Sequence, residues 1–502
     1  MPDSTKEVAN KMPETTRTGK VLALSLGSAL SMVISIFFGM ISSRVLSKHD
    51  YATIQQTFLA YNFAVPILML GLPNAVYYFL PREKQCKRGV LVDNIALLLG
   101  AGLLFSLFIG FGGYKMLAMR FNNPDLLHTL PWLVLYPFFL MPVAGVSAVL
   151  VSADQTKTLA VYNVISSLAL TLSGIVAVLV TKSYAAPIFV RIIVPAVFLP
   201  IAMYLMFKAV PGKMRWPKRL DMQAMVRYSV PLGLASIFGS LTLQMDSMIV
   251  SSMCSPEDFA VYYNGAIELP LIGIITGSIT TVVFAEMAKL CARGDMEAAL
   301  QLFHKASIKS ACILFPSMCF LLVTATPFIT VLYSEQYHAS VVPFVIYLFV
   351  LPVRIVVYGA ALMALGMTRV VLFRSILDLA INAILCYFLV KRFGYIGAAV
   401  SLLVTLYIWT TPYNLYKIAK GFGVSWSASM PFNSLFKMLF ICALCMPVAA
   451  VGAYAFPLIS LGQLILATLL YWPIAGYLLY RNKFFDLPSR LERLIPQLLR
   501  VQ

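Results

Sequence analysis

Six ionisable side chains stand where a chain this apolar offers little water. Arg191, Arg354, Asp246, Glu268 and Asp378 fall inside long apolar runs, and Arg44 closes another. A charge in hydrocarbon costs several kcal/mol, so such a group faces a cavity, a partner or the membrane surface. At 1.5 Å per helical residue, Arg191 and Asp246 each lie about 9 Å from the outer end of their runs and Glu268 about 12 Å. Arg354 lies about 20 Å down, near the midplane. Asp378 lies near the middle of its run.

The residue types suggest an anion. Guanidinium groups bind phosphate or pyrophosphate through paired N–H donors. Asn74 and Asn264, with Gln55, Gln56, Asn62 and the tyrosines 61, 77, 78, 262 and 263, would add polar and aromatic edges suited to sugars. Each group has a packing alternative. Asp378 stands four residues after Arg374, so the two can neutralise each other. Arg44 can snorkel to the surface. Asp246, Glu268, the amides and the tyrosines can serve ordinary helix packing. Arg354 has no carboxylate within one turn in sequence and is too deep to snorkel easily, which makes it the leading functional candidate.

Enzyme signatures are missing. Gly19-Lys20 and Gly212-Lys213 are not followed by Ser or Thr, so there is no Walker A loop and no ATP-driven step. The four histidines, 49, 128, 304 and 338, pair with no nucleophile and not with one another. The eight cysteines lie mostly in apolar runs without CxxC spacing, so neither a disulfide nor a metal site is expected. The expectation is a non-enzyme with no catalytic residues, metal or cofactor.

The elements that must carry these charges are membrane helices. The 502 residues are 60% hydrophobic and 12% charged, a ratio no soluble domain tolerates. Apolar runs of about 20 residues recur from end to end, each able to cross ~30 Å of hydrocarbon, and about fourteen are predicted. The runs are continuous rather than alternating, which excludes a β-barrel. The net charge of +18 does not indicate nucleic acid, because lysines and arginines collect in alternate loops. Roughly 29 fall on one side and 7 on the other, which places both termini in the cytoplasm. No cleavable signal is recognisable at the N-terminus.

The chain repeats itself. Leu46-Ser47-Lys48-His49-Asp50-Tyr51-Ala52-Thr53 parallels Cys254-Ser255-Pro256-Glu257-Asp258-Phe259-Ala260-Val261, and Thr156-Lys157 and Tyr184 parallel Thr368-Arg369 and Tyr395. Parallel repeats of six helices suggest a transporter whose halves rock during transport. The predicted organisation is a cytoplasmic tail (1–19), an N-lobe of six helices (20–207), a basic linker (208–228), a C-lobe of six helices (229–416), a terminal helix pair (417–482) and an amphipathic tail (483–502). Ser489–Val501 and Asp295–Lys305 read as helices on the membrane surface.

The chain resembles the polysaccharide or O-antigen flippases of the multidrug/oligosaccharidyl-lipid/polysaccharide exporter superfamily. The resemblance spans about residues 17–480. It rests on RVLSKHDYATIQQ with GLPNAVYYFLP, on YSVPLGLASIFGSLTLQMDSMIVSSMCSPEDFAVYYNGAIELP, on VLYSEQYHASVVPFVIYLFVLPVRIVVYGAALMALGMTR and on NAILCYFLVKRFGYIGAAVSLLVT. It implies a fourteen-helix inner-membrane protein that moves an undecaprenyl-diphosphate-linked oligosaccharide to the outer leaflet for surface polysaccharides such as lipopolysaccharide O-antigen. In that family a cationic cavity holds pyrophosphate and glycan, which would suit Arg191 and Arg354, with Arg44, Asn264 and Asn74 as further substrate contacts. Coupling to H+ or Na+ would fall to Asp246, Glu268 and Asp378, and the polysaccharide polymerase machinery would be a partner. A drug/cation antiporter and a lipid II flippase are the near alternatives. A membrane polymerase or ligase would need a long outer loop, which is missing, and a scaffold would not explain arginines in both halves.

Overall fold

The computed structural model describes residues 14–83, 86–267, 283–284, 286–356 and 358–485. Among the described residues every regular element is helical. Ten of these helices are long and apolar enough to cross a membrane, and two bent pairs bring the number to twelve. The chain is an all-α, multi-pass membrane protein. Of the fourteen expected spans, the eighth (260–285) lies largely outside the described residues, as do Glu268 and the amphipathic segment Ser489–Val501.

Contacts divide the chain into two compact units, Met1–Ser240 and Leu241–Gln502. Unit 1 holds α1 (Glu14–Val45), α2 (Lys48–Arg82), α3 (Lys87–Arg120), α4 (the bent pair Leu126–Val134 and Tyr136–Ser152), α5 (Thr156–Thr181) and α6 (Ala185–Ala209). The division falls inside α7 (Arg219–Met253). Unit 2 continues with α8 (Pro256–Gly265), α9 (Met296–Tyr333), α10 (Glu335–Ala364), α11 (Thr368–Phe393), α12 (Tyr395–Phe422), α13 (Phe432–Tyr454) and α14 (Ser460–Arg481). In unit 1, α1 packs along α5 and α5 along α6; in unit 2, α11 pairs with α12, and α9 packs on α13 and α14.

The repeat seen in sequence is a repeat of local structure. Ser47 caps α2 and Ser255 caps α8, both with extended backbone. Each serine Oγ accepts the amide of the aspartate three residues on, Asp50 at 3.0 Å and Asp258 at 3.1 Å. Such a cap is worth about 1 kcal/mol. The residues after it, Tyr51-Ala52 and Phe259-Ala260, are buried in their respective units.

Three helices depart from the regular spans the sequence suggests. α4 is broken into short α and 3-10 pieces between 126 and 152, where Pro131, Pro137 and Pro142 each remove a backbone donor. α10 is interrupted around Phe349-Val350 and again after Arg354. α7 begins at Arg219, inside the stretch expected to be linker, because its polar first turns are helical without being apolar. Asp295–Lys305 is not a separate surface helix: Asp295 caps α9, accepting from the Ala298 amide at 3.1 Å, and the segment runs straight into that span.

α2 bends where GLPN interrupts it. Leu70 and Gly71 are both left-handed, at φ 47° and 73°. The bend seats against α7, itself bent by 61° between Arg219–Pro231 and Ser236–Met253. A Cβ on Gly233 would lie 2.8 Å from the Leu70 carbonyl, so backbone meets backbone here.

Gly233→Val should therefore destabilise the purified protein by about 2–3 kcal/mol, read as a lower thermal unfolding midpoint. Gly239→Val, in open space, should change it by less than about 0.5 kcal/mol.

Candidate functional site

In unit 1 the site is built around Arg191 on α6. Its guanidinium lies over the Phe58 ring, 4.4 Å from the centroid, and neighbours the Tyr136 hydroxyl. Phe58 and Tyr136 meet edge-to-face at 5.3 Å, and Tyr61, one turn after Phe58, meets Tyr136 at 4.8 Å. These rings come from α2 and α4 and are buried, whereas Arg191 is half-buried. The aromatic faces hold a cation by their quadrupoles, a contact worth about 1–2 kcal/mol when desolvated. Among the described residues no carboxylate pairs with Arg191. A guanidinium in such a place has the N–H donors to bind an anion.

In unit 2 the corresponding feature is acidic. Asp246 on α7 is 2% exposed. The Asn382 amide on α11 donates to its Oδ1 at 2.7 Å, and the Cys386 thiol, one turn along, faces the same carboxylate. The Asn382 carbonyl lies 3.4 Å from both the Ser401 and Thr405 hydroxyls of α12. Thr405 opens a π-helical segment, Thr405–Thr410, a distortion often found at functional sites. Among the described residues no cation pairs with Asp246. A carboxylate so placed must be met by a proton or a small cation.

The other expected residues are dispersed. Arg354 is exposed and ends the short helical piece Leu351–Arg354, its amide bonded to the Val350 carbonyl at 3.2 Å. Arg44 is exposed at the end of α1 and donates to the Met40 carbonyl at 2.8 Å. Asn74 is exposed just past the bend of α2, and Asn264 is 1% exposed within α8. Asp378 makes the ion pair its spacing allows, 3.4 Å from Arg374, and also accepts from Thr410 at 2.8 Å. Its charge is thus met within unit 2. Glu268 lies outside the described residues.

Sequence reasoning missed Phe58, Tyr136, Asn382 and Cys386. Asn382 left a signal, being a carboxamide inside an apolar run. The aromatic pair left none, because phenylalanine and tyrosine are ordinary in such runs. Among the described residues no three His, Cys, Asp or Glu side chains cluster as a metal would need.

A family model described as a polysaccharide biosynthesis protein matches residues 41–342. No curated protein matches the sequence. Among solved structures the chain is similar to the lipid II flippase MurJ in an inward closed conformation, at 13% identity and a TM-score of 0.75 over 92% of this chain and 99% of that one. It is similar to an inward-facing multidrug resistance MATE family transporter of the MOP superfamily, at 14% identity and 0.63 over 81% and 99%. A third, a MOP superfamily transporter from Pyrococcus furiosus described by the reverse polarity of its binding pocket, matches at 13% and 0.53 over 80% and 96%. At these identities the likeness establishes the fold.

The Asp246 cluster predicts an asymmetry between two substitutions. Asp246→Asn keeps a hydrogen-bonding amide opposite Asn382 and should leave the unfolding temperature close to wild type. Asn382→Leu leaves the carboxylate without its principal donor and should cost about 3 kcal/mol of stability, seen as a lower midpoint in thermal unfolding.

Proposed function

Because the chain belongs to the polysaccharide biosynthesis protein family, we propose that it is a flippase. It carries an undecaprenyl-diphosphate-linked oligosaccharide from the cytoplasmic to the outer leaflet for surface polysaccharide synthesis, O-antigen among them. Arg191 is the observation that carries this reading: an intramembrane cation seated over an aromatic face, with no acid of its own among the described residues.

A sugar-pyrophosphate head cannot enter hydrocarbon, because its charge and hydroxyls would lose their hydration without replacement. Guanidinium donors replace that hydration while the polyprenyl tail stays in lipid. In this reading Arg191 takes the pyrophosphate, and Arg354, exposed on the interrupted α10, is the cation of unit 2. Arg44, Asn74 and Asn264 are further substrate contacts. Alternating access then carries the head across.

Asp246 supplies the driving step. Binding and release of H+ or Na+ at this carboxylate biases the conformational cycle, with Glu268 and Asp378 as further acids. The protein sits in the inner membrane with both termini cytoplasmic and hands its product to the polymerase machinery. The buried carboxylate also favours a second reading, a cation-coupled drug antiporter of the same fold.

Deleting the gene in its host and analysing lipid-linked glycans separates the two. Accumulated polyprenyl-diphosphate oligosaccharide, loss of surface polysaccharide and failure of Arg354→Ala to complement are the expected results. Unchanged glycans with new sensitivity to cationic drugs would favour the antiporter.

A further inference from the structure

The segment between α6 and α7 is held in one place by buried electrostatics. Arg215 grips Asp93 of α3 with both terminal nitrogens, at 2.6 and 3.2 Å, and bonds Asp221 of α7 at 2.7 Å. The Asp93 side chain is fully buried and accepts the Lys218 amide at 2.9 Å as well. Arg88 closes the other end, donating to the carbonyls of Phe207 and Val210 at 3.1 and 2.9 Å. A loop fixed this firmly presents whatever it exposes in a defined place.

What it exposes is apolar and basic together. Trp216 is 89% exposed, Leu220 78% and Met214 68%. Water is a poor solvent for three such groups on one short segment, whereas a headgroup boundary accepts them. Residues 208–227 hold Lys208, Lys213, Arg215, Lys218, Arg219 and Arg227 against the single acid Asp221.

Beside the segment lies a cavity of about 590 Å³ within unit 1. Leu97, Pro217, Met222 and Val226 form its apolar wall, and Arg219 and Arg227 border it. The two arginines stand eight residues apart on α7, roughly 12 Å along one helix face. Both are exposed, and among the described residues neither side chain has an acidic partner or a hydrogen bond. The one nearby acid on the helix, Asp221, is engaged by Arg215.

We propose that this cavity is a binding site for an anionic phospholipid of the leaflet that the lysine and arginine bias assigns to the cytoplasm. Arg219 and Arg227 take the phosphodiester, the apolar wall takes the glycerol and first methylenes, and Trp216, Leu220 and Met214 seat the segment in the headgroup boundary. Charge complementarity selects the ligand: a zwitterionic lipid brings a cation that two arginines repel, and a free phosphate gains nothing from the apolar wall. The site is independent of the flipping activity proposed above, so either can fail alone.

The test is lipid retention by the full-length protein in detergent, measured by native mass spectrometry with equal phosphatidylglycerol and phosphatidylcholine. Wild type is expected to retain phosphatidylglycerol preferentially. Arg219→Gln/Arg227→Gln should lower that retention roughly tenfold or more, at an unchanged unfolding temperature, and Arg219→Lys/Arg227→Lys should preserve most of it. Equal retention of the two lipids, or a glutamine variant that still prefers phosphatidylglycerol, would overturn the proposal. So would displacement of the lipid by millimolar inorganic phosphate, which would identify an anion site rather than a lipid site, or preferential retention of added undecaprenyl phosphate over phosphatidylglycerol.

Discussion

A charge inside a membrane must be met by something, and the way each one is met organises this molecule. Arg374 and Asp378 meet each other across one helical turn. Outside the spans, Arg215 meets two aspartates and fixes the junction between α6 and α7. Arg191 and Asp246 are different, since neither has an opposite charge among the described residues. Both are held by neutral groups, an aromatic ring for the arginine and a carboxamide for the aspartate. An intramembrane charge in this condition lowers stability, and the proposed anionic substrate and coupling cation would each supply the missing partner.

The backbone around these charges follows the same logic. Irregular backbone at membrane depth persists only where it is buried in protein or lines a wet cavity. α4 carries Tyr136 toward Arg191 from a proline-broken stretch, and Arg354 ends a short piece of the interrupted α10. Thr405, part of the shell of Asp246, opens a π-helical segment. The regular caps at Ser47 and Ser255, by contrast, fix where α2 and α8 begin. Precise helix starts and broken helix interiors together set side chains at depths a straight helix would not give them.

Much of this was legible in the sequence because it is local. The apolar runs marked the spans, and the four-residue spacing marked the Arg374–Asp378 pair. What stayed hidden depends on distance along the chain. Asn382 meets Asp246 across 136 residues, and nothing near either residue names the other. Phe58 and Tyr136 look like any aromatic residues in an apolar run until α6 brings Arg191 over the Phe58 ring. The breaks in α4 and α10 were hidden for another reason: prolines are common in membrane helices, and whether one bends or breaks the helix depends on neighbours. The early start of α7 was hidden because hydropathy does not distinguish a polar helix from a polar loop.

The most direct measurement is translocation by the purified protein in liposomes. A polyprenyl-diphosphate oligosaccharide is loaded, and its appearance on the opposite leaflet is followed with an impermeant glycan-cleaving enzyme. Transfer by the wild-type protein is expected, with a fall of about tenfold or more for Arg191→Gln at an unchanged fold, because a charge-assisted contact to phosphate is worth roughly 1.5–3 kcal/mol. Wild-type protein that moves no lipid, or Arg191→Gln protein that moves it at the wild-type rate, would contradict it.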